Sequence, residues 1–311
     1  MAVNALNFCA FAMCYEEEDE SLEMSTTSTT DEPTPVLNRH LVGEIADLSL
    51  QPDSANRPVI IAVSNALDSG AIDFFHLPSE RRVSTLPADK DVKTGMVMAL
   101  SLAKHPLNGK LIVVSGYESG HAMVNIQQTS NIPDQPWSWK KVLVNQPHSQ
   151  PLLSVDVSPA ADFFFTSSAD AIIAKFAIPF DTTASEFAEK LNKILNTKHA
   201  GQQCLSIRSD GKIFATAGWD ARTRVYSAKA MRELAVLKWH KEGCYAVSFA
   251  MIYPDRVRES TPIGSTGREL LLSRQSSALD AIKDQRNSRA QNTHWLAAGG
   301  KDGKISLWDI Y

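Results

Sequence analysis

Three sets of side chains in this 311-residue chain have the makings of a catalytic relay. His148, Thr166 and Asp170 form one, His199, Thr216 and Asp220 a second, and His240 with Asp302 and Trp308 a third. An imidazole held between a hydroxyl and a carboxylate is the arrangement that activates a serine or threonine nucleophile for acyl transfer. That chemistry also needs the nucleophile displayed on a sharp turn, and no GxSxG elbow occurs. HExxH, the GxxxxGK phosphate loop and GxGxxG are likewise missing, so peptidase zinc, nucleotide and dinucleotide chemistry have no motif here. His105 and His121 stand alone, and Cys9, Cys14, Cys204 and Cys244 make no CxxC pair. No catalytic residue, metal centre or cofactor is expected. A triad occurs once in an enzyme, whereas these sets recur, and recurrence points to architecture.

Each set is carried by the same run of elements. TAGWDARTRVY at 216–226 reads as the end of an apolar strand, a tight Asp turn and the start of another strand. LAAGGKDGKISLWD at 296–309 repeats it, and His199 and His240 lie upstream of the two copies. The order His, strand, strand, Asp turn, strand, aromatic is the signature of a WD40 blade, a four-stranded antiparallel sheet. In such blades the Asp accepts from backbone amides and the His. The His bonds a Ser or Thr of the second strand, which reaches the Trp of the third. Buried polar groups must be paired, so this network fixes the shape of the sheet while adding only modest net stability. Tyr226 stands at the Trp position of the His199 set and Phe176 at that of the His148 set. In the His240 set Ala297 and Ala298 leave no hydroxyl, and an earlier unit has Asn125 in place of the aromatic.

Five blades are legible, where WD40 rings most often have seven. Residues 3–14 alternate weakly and read as the inner strand of the first. Asp170 and Asp220 are 50 residues apart and Asp220 and Asp302 are 82 apart. Removing a polar insert at 252–291, 40 residues long, brings the second spacing to 42, the period of a WD40 repeat. That insert and an acidic, Ser/Thr-rich stretch at 16–35 cannot bury enough apolar surface to fold and are expected to be disordered. ALDAIKDQ inside the later insert offers a helix as the alternative. Between residues 181 and 197, Phe187, Leu191, Ile194 and Leu195 have helical spacing and predict an inserted short helix. The chain is thus expected to be a single all-β domain over 1–311. The last blade ends at its third strand and about two N-terminal blades are expected to be lacking.

Bulk properties narrow the function classes. The net charge is −4 and the pI about 6.1, so no basic field argues for direct contact with nucleic acid. No apolar run reaches the ~18 residues of a spanning helix, and no membrane contact is expected. The apolar start lacks a basic n-region, which argues against a signal peptide. Cys204 and Cys244 follow their histidines at equivalent places and read as small buried residues of the inner strands. A reducing intracellular compartment fits. Trp219, Arg222, Trp239, Lys241 and Tyr117 sit in or beside loops and are the candidate contacts to a protein partner.

Beyond the WD40 pattern, residues 211–240 and the terminal WLAAGGKDGKISLWDIY resemble the fungal ASTRA-associated protein 1 family. TGMVMALSL and LIVVSGYESG fit the same family in the same order. The chain is also similar to the animal guanine nucleotide-binding protein β-subunit-like protein 1. The resemblance implies a non-enzymatic propeller serving as a scaffold subunit of the ASTRA complex. It places the protein in the nucleus, with the cytoplasm as a second compartment. The implied partners are a large Tra1-type phosphatidylinositol-3-kinase-like protein, AAA+ ATPases and the Tel2–Tti1–Tti2 co-chaperone module. The implied roles are chromatin remodelling and maturation of such kinases. The alternative is a G-protein β-like signalling adaptor, which would need an N-terminal coiled-coil helix that these residues do not encode.

Overall fold

The computed structural model describes residues 11–15, 58–128, 137–179, 193–252 and 293–310, together with 282, 283, 286 and 289. Short runs of β-branched and aromatic residues, bounded by Asp, Ser and Gly turns, favour antiparallel hairpins. Five sheets result among these residues. The first holds β1 (Ala12–Tyr15), β2 (Val59–Ser64), β3 (Ile72–Leu77) and β4 (Arg81–Leu86). The second holds β5 (Val97–Lys104), β6 (Leu111–Tyr117), β7 (Ala122–Gln128) and β8 (Ser138–Asn145). The third runs β9 (Leu152–Val157), β10 (Phe163–Ser168), β11 (Ile172–Ala177) and β12 (Lys193–Asn196). The fourth runs β13 (Gln202–Ile207), β14 (Ile213–Gly218), β15 (Thr223–Ser227) and β16 (Glu233–Leu237). The fifth has three strands, β17 (Cys244–Phe249), β18 (Trp295–Gly300) and β19 (Ile305–Asp309).

The first strand of each sheet packs on the first strand of the next, β1 on β5, β5 on β9, β9 on β13 and β13 on β17. These strands line the inside, and the sheets stand as successive blades of a WD40 propeller. Strand alternation feeds the seams between them. Phe164 enters the seam between blades two and three, with Ile112, Val124 and Leu152. Its neighbour Phe165 turns to the other side, against Leu205, Phe214 and Tyr226 of blade four. Phe165, Phe214 and Tyr226 stack in series, with ring centroids 4.1 and 5.1 Å apart. Cys244 is buried and Cys204 partly buried on the inner strands, the places their spacing from the histidines predicts.

Among the described residues each end blade has one face covered by a neighbouring blade. On blade one Phe11, Met13 and Tyr15 are exposed, and on blade five Ile305 and Leu307 are 73% and 66% exposed. Among the described residues no comparable packing joins β17 to β1.

Two sequence expectations meet the structure differently. Residues 193–196, expected to close a helix, are instead β12, the outer strand of blade three. They pair with β11 from Ile172↔Asn196 to Lys175↔Lys193. The free edge of β11 offers a ladder of backbone bonds that a weak local helical preference does not match. Residues 181–192 of that stretch lie outside the described residues, as do 3–10 and the acidic insert at 16–35. The inner strand of blade one is present at Ala12–Tyr15. Within the insert at 252–291 the backbones of Ile282, Lys283, Arg286 and Arg289 are helical, and most of the rest is outside the described residues.

Candidate functional site

The networks anticipated from the sequence occupy one end of the blades, where each Asp turn meets the loop leading into the inner strand. Blade three has the expected form. His148 Nδ1 lies 3.2 Å from Asp170 Oδ1, and His148 Nε2 lies 2.8 Å from Thr166 Oγ1. Asp170 also accepts from the amides of Ser149 and Ile172. Burial pushes the His148 imidazole below its ordinary pKa, against the pull of Asp170. The ring is therefore neutral near pH 7, donating from Nδ1 to the carboxylate and accepting the Thr166 hydroxyl at Nε2. Thr166 and His148 are both buried. A hydroxyl enclosed in this way has no access to a substrate.

Blade four departs from the expectation. His199 is largely exposed, with Nδ1 3.7 Å from Asp220 Oδ2. Asp220 is instead gripped by Arg224 at 3.1 and 2.6 Å, a buried guanidinium on β15. Burial works against its ionisation, but the Arg224 bonds outweigh that and hold the Asp220 carboxyl below the usual range. Thr216 donates to Gln202 Oε1 at 2.7 Å, and Gln202 Nε2 donates to the carbonyl of His199 at 3.0 Å. A bidentate Arg matches a carboxylate better than a single imidazole does. Gln202, three residues later, takes over the buried hydroxyl and leaves His199 outside. The sequence signals were Arg224, four residues beyond the Asp, and an amide opening an inner strand.

In blade five His240 Nδ1 is 3.1 Å from Asp302 Oδ1, and Nε2 is 3.0 Å from Ser306 Oγ. Trp308 Nε1 donates to the same Ser306 oxygen at 2.9 Å. The hydroxyl sought on β18, where Ala297 and Ala298 stand, comes from β19. Burial of Asp302 disfavours its charge, but bonds from His240 and the amides of Lys241 and Lys304 keep its carboxyl below the ordinary value.

These turns and loops make a continuous rim. Gly201 N donates to Ala169 O, Trp219 N to Gly201 O and Lys301 N to Gly243 O, at 2.8–3.0 Å. Trp219, 47% exposed, lies across Gly201 and donates its indole N–H to Gln203 Oε1 at 2.7 Å. A Cβ on Gly201 would run into that ring, and its φ of +75° also favours glycine. Trp239, 50% exposed, stands edge-on to His240, and Lys304 Nζ lies 5.8 Å from its centroid. Lys241, Lys238, Lys301 and Lys304 are exposed around it and Arg222 is partly buried nearby. Asp220 and Asp302 are engaged internally, and Glu242, exposed on the same loop, is outnumbered by the four lysines, so the exposed character here is aromatic and predominantly cationic. Tyr245 on β17 joins this surface beside Gly243, unanticipated; it alternates with buried Cys244 and so had to face outward.

Tyr117 does not belong to it. It is 3% exposed in the seam between blades one and two, and its hydroxyl accepts from Ser115 Oγ at 3.2 Å. It ends β6, and the register that pairs Val97 with Tyr117 turns the ring inward.

Comparison with known proteins bears on these repeats. The family model described as "WD domain, G-beta repeat" matches residues 190–227 and 289–309. The ASTRA-associated protein 1 of Aspergillus niger is 48% identical over 330 residues, covering all of this chain and 70% of that protein. The chain belongs to the ASTRA-associated protein 1 family. The family member of Penicillium rubens is 44% identical over 340 residues, across all of this chain and 71% of its own length. The mouse guanine nucleotide-binding protein subunit beta-like protein 1 is a more distant relative, 27% identical over 243 residues, or 78% of this chain and 58% of its own. The chain thus spans about 70% of its first relatives' length.

Proposed function

We propose that this chain is a non-catalytic scaffold subunit of the ASTRA complex in the nucleus. In this reading it holds a Tra1-type kinase-like protein, AAA+ ATPases and the Tel2–Tti1–Tti2 module, and serves chromatin remodelling and kinase maturation. The observation that carries the reading is similarity along all of this chain, over about 70% of their own length, to proteins named for association with ASTRA. Supporting it, the hydroxyls and imidazoles that resemble a triad are buried and bonded within the blades, and two half-exposed tryptophans stand among lysines on one rim. Aromatic and cationic groups of this kind anchor protein interfaces.

The test is affinity purification of the tagged protein followed by mass spectrometry. Recovery of the kinase-like subunit and the Tel2-module proteins is expected. Trp219→Ala combined with Trp239→Ala and Lys241→Glu is expected to reduce that recovery about tenfold or more, with an unchanged melting curve. Failure of the unmutated protein to bring down these subunits would overturn the assignment. Full recovery by the triple variant would move the contact off the rim.

A further inference from the structure

At the other end of the strands, away from the rim, the seam between blades three and four opens into a cavity of about 290 Å³. Its walls include Asp162, Phe163, Lys175, Lys193, Ala228 and Lys229. Lys175 on β11 and Lys193 on β12 are directly opposite each other across the strands. Both ammoniums lean toward the first turn beyond β15: Lys175 Nζ donates to Ala228 O at 3.1 Å and Lys193 Nζ to Lys229 O at 3.3 Å. Like charges placed directly opposite destabilise a sheet unless something offsets them. Among the described residues the one carboxylate in the wall is Asp162, which accepts from Ser158 Oγ at 2.6 Å and shares the wall with three lysines. Lys175 also lies 3.8 Å from the centroid of the Phe163 ring, a contact that holds a cation without neutralising it. Lys175 and Lys193 each spend one of three N–H donors on a carbonyl, and with Lys193 and Lys229 exposed the remaining donors are open to an anion in place of water. Partial burial depresses the Lys175 pKa, Asp162 opposes this and Lys193 adds to the depression, as expected of a cation crowded by another.

We propose that this cavity binds a phosphomonoester, free or as a lipid headgroup, with its oxygens among Lys175, Lys193 and Lys229 and its organic part against Phe163. Among the described residues of the wall, three ammoniums against one carboxylate leave an excess of two positive charges. A phosphomonoester carries about −1.5 to −2 near pH 7, where a carboxylate would neutralise half as much. The volume is at the lower end for small-molecule sites and suits a phosphate with one ring attached. The site is on the opposite side of the blades from the protein-binding rim and is independent of that reading.

Titration of the full chain with inorganic phosphate and with phenyl phosphate, followed by calorimetry, tests it. Saturable binding is expected, tighter for phenyl phosphate because its ring meets Phe163. Lys193→Gln and Lys175→Met are each expected to weaken it about tenfold, the loss of one charge-assisted contact. Lys238→Gln on the far rim is expected to leave it unchanged. Absence of saturation up to about 10 mM, a range that reveals even a millimolar site, would overturn the proposal. So would binding that ignores both cavity lysines in variants with wild-type melting curves. Co-sedimentation with vesicles carrying a phosphoinositide, competed by phenyl phosphate, would assign a lipid source. Saturation by phenyl phosphate without co-sedimentation would assign a free one.

Discussion

At the residue scale, three histidines that look equivalent in the sequence do three different amounts of structural work. His148 joins a buried hydroxyl to a carboxylate that also ties down two amides. Removing the ring by His148→Ala strands both, and a loss of about 2–4 kcal/mol in urea unfolding is expected. His199 is half in solvent and 3.7 Å from its carboxylate, so His199→Ala is expected to change stability by about 0.5 kcal/mol or less. Ser306→Ala leaves His240 and Trp308 without their shared oxygen, and a loss of about 1–3 kcal/mol should follow. The Asp positions were readable because turn chemistry is local: an Asp followed by a small residue between apolar strands says what it does. Their partners were not. Whether the hydroxyl comes from the second strand, as Thr166 does, or the third, as Ser306 does, depends on register. Whether Asp220 prefers His199 or Arg224 depends on which side chain reaches it first from a neighbouring strand. Tyr117 misled for the same reason, since one position in a strand decides between rim and seam.

At the scale of elements, the inner strands of blades three and four are joined by side chains. Asp156 on β9 accepts from the amide of Ile207 on β13 at 2.7 Å, and Ser154 accepts from Leu205 N at 3.0 Å. Burial raises the Asp156 pKa to about 6, against the pull of the Ile207 and Val157 amides. Its folded value is therefore above its unfolded one. The folded state binds the extra proton between the two values, so the contribution to stability is complete below about pH 4 and is lost as pH rises through about 6. Asp156→Asn keeps an acceptor and removes the charge. Both carboxylate oxygens accept backbone amides, from Val157 N at 2.9 Å and Ile207 N at 2.7 Å, so the Asn NH2 faces one of these donors at a cost of about 1–3 kcal/mol at any pH. Relative to the unmutated protein the variant is therefore expected to gain up to about 3 kcal/mol on going from pH 4 to pH 7.5. Denaturant titrations at the two pH values check this. The strands were legible from their alternation, and so were most of their hairpins. The exception is β12, whose four residues follow a helical spacing and are drawn into extended form by the edge beside them. Pairing between distant segments is settled by the sheet, and a local window does not contain it.

Among the described residues the molecule is a row of five blades whose four seams are each packed by a buried apolar cluster, while the two outermost faces have no blade against them. Blade one shows Phe11, Met13 and Tyr15, and blade five shows Ile305 and Leu307 beside the edge of β19, which pairs with no further strand among the described residues. Apolar sheet faces next to free edges drive association between chains. The 311-residue chain is expected to self-associate in light scattering, and Ile305→Lys with Leu307→Lys to restore monomer without lowering the melting temperature. Unchanged scattering by the double variant would assign association to another surface.

The indole of Trp219 rests on Gly201 with one edge in water and its N–H given to Gln203. A chromophore so placed is an unlabelled optical probe of whatever settles above it. Docking of a partner would strip water from the ring and move its emission to shorter wavelength, while binding in the lysine-walled cavity on the far side would leave the colour unchanged. One spectrum, recorded with and without Trp219→Phe, therefore separates the two surfaces in intact protein.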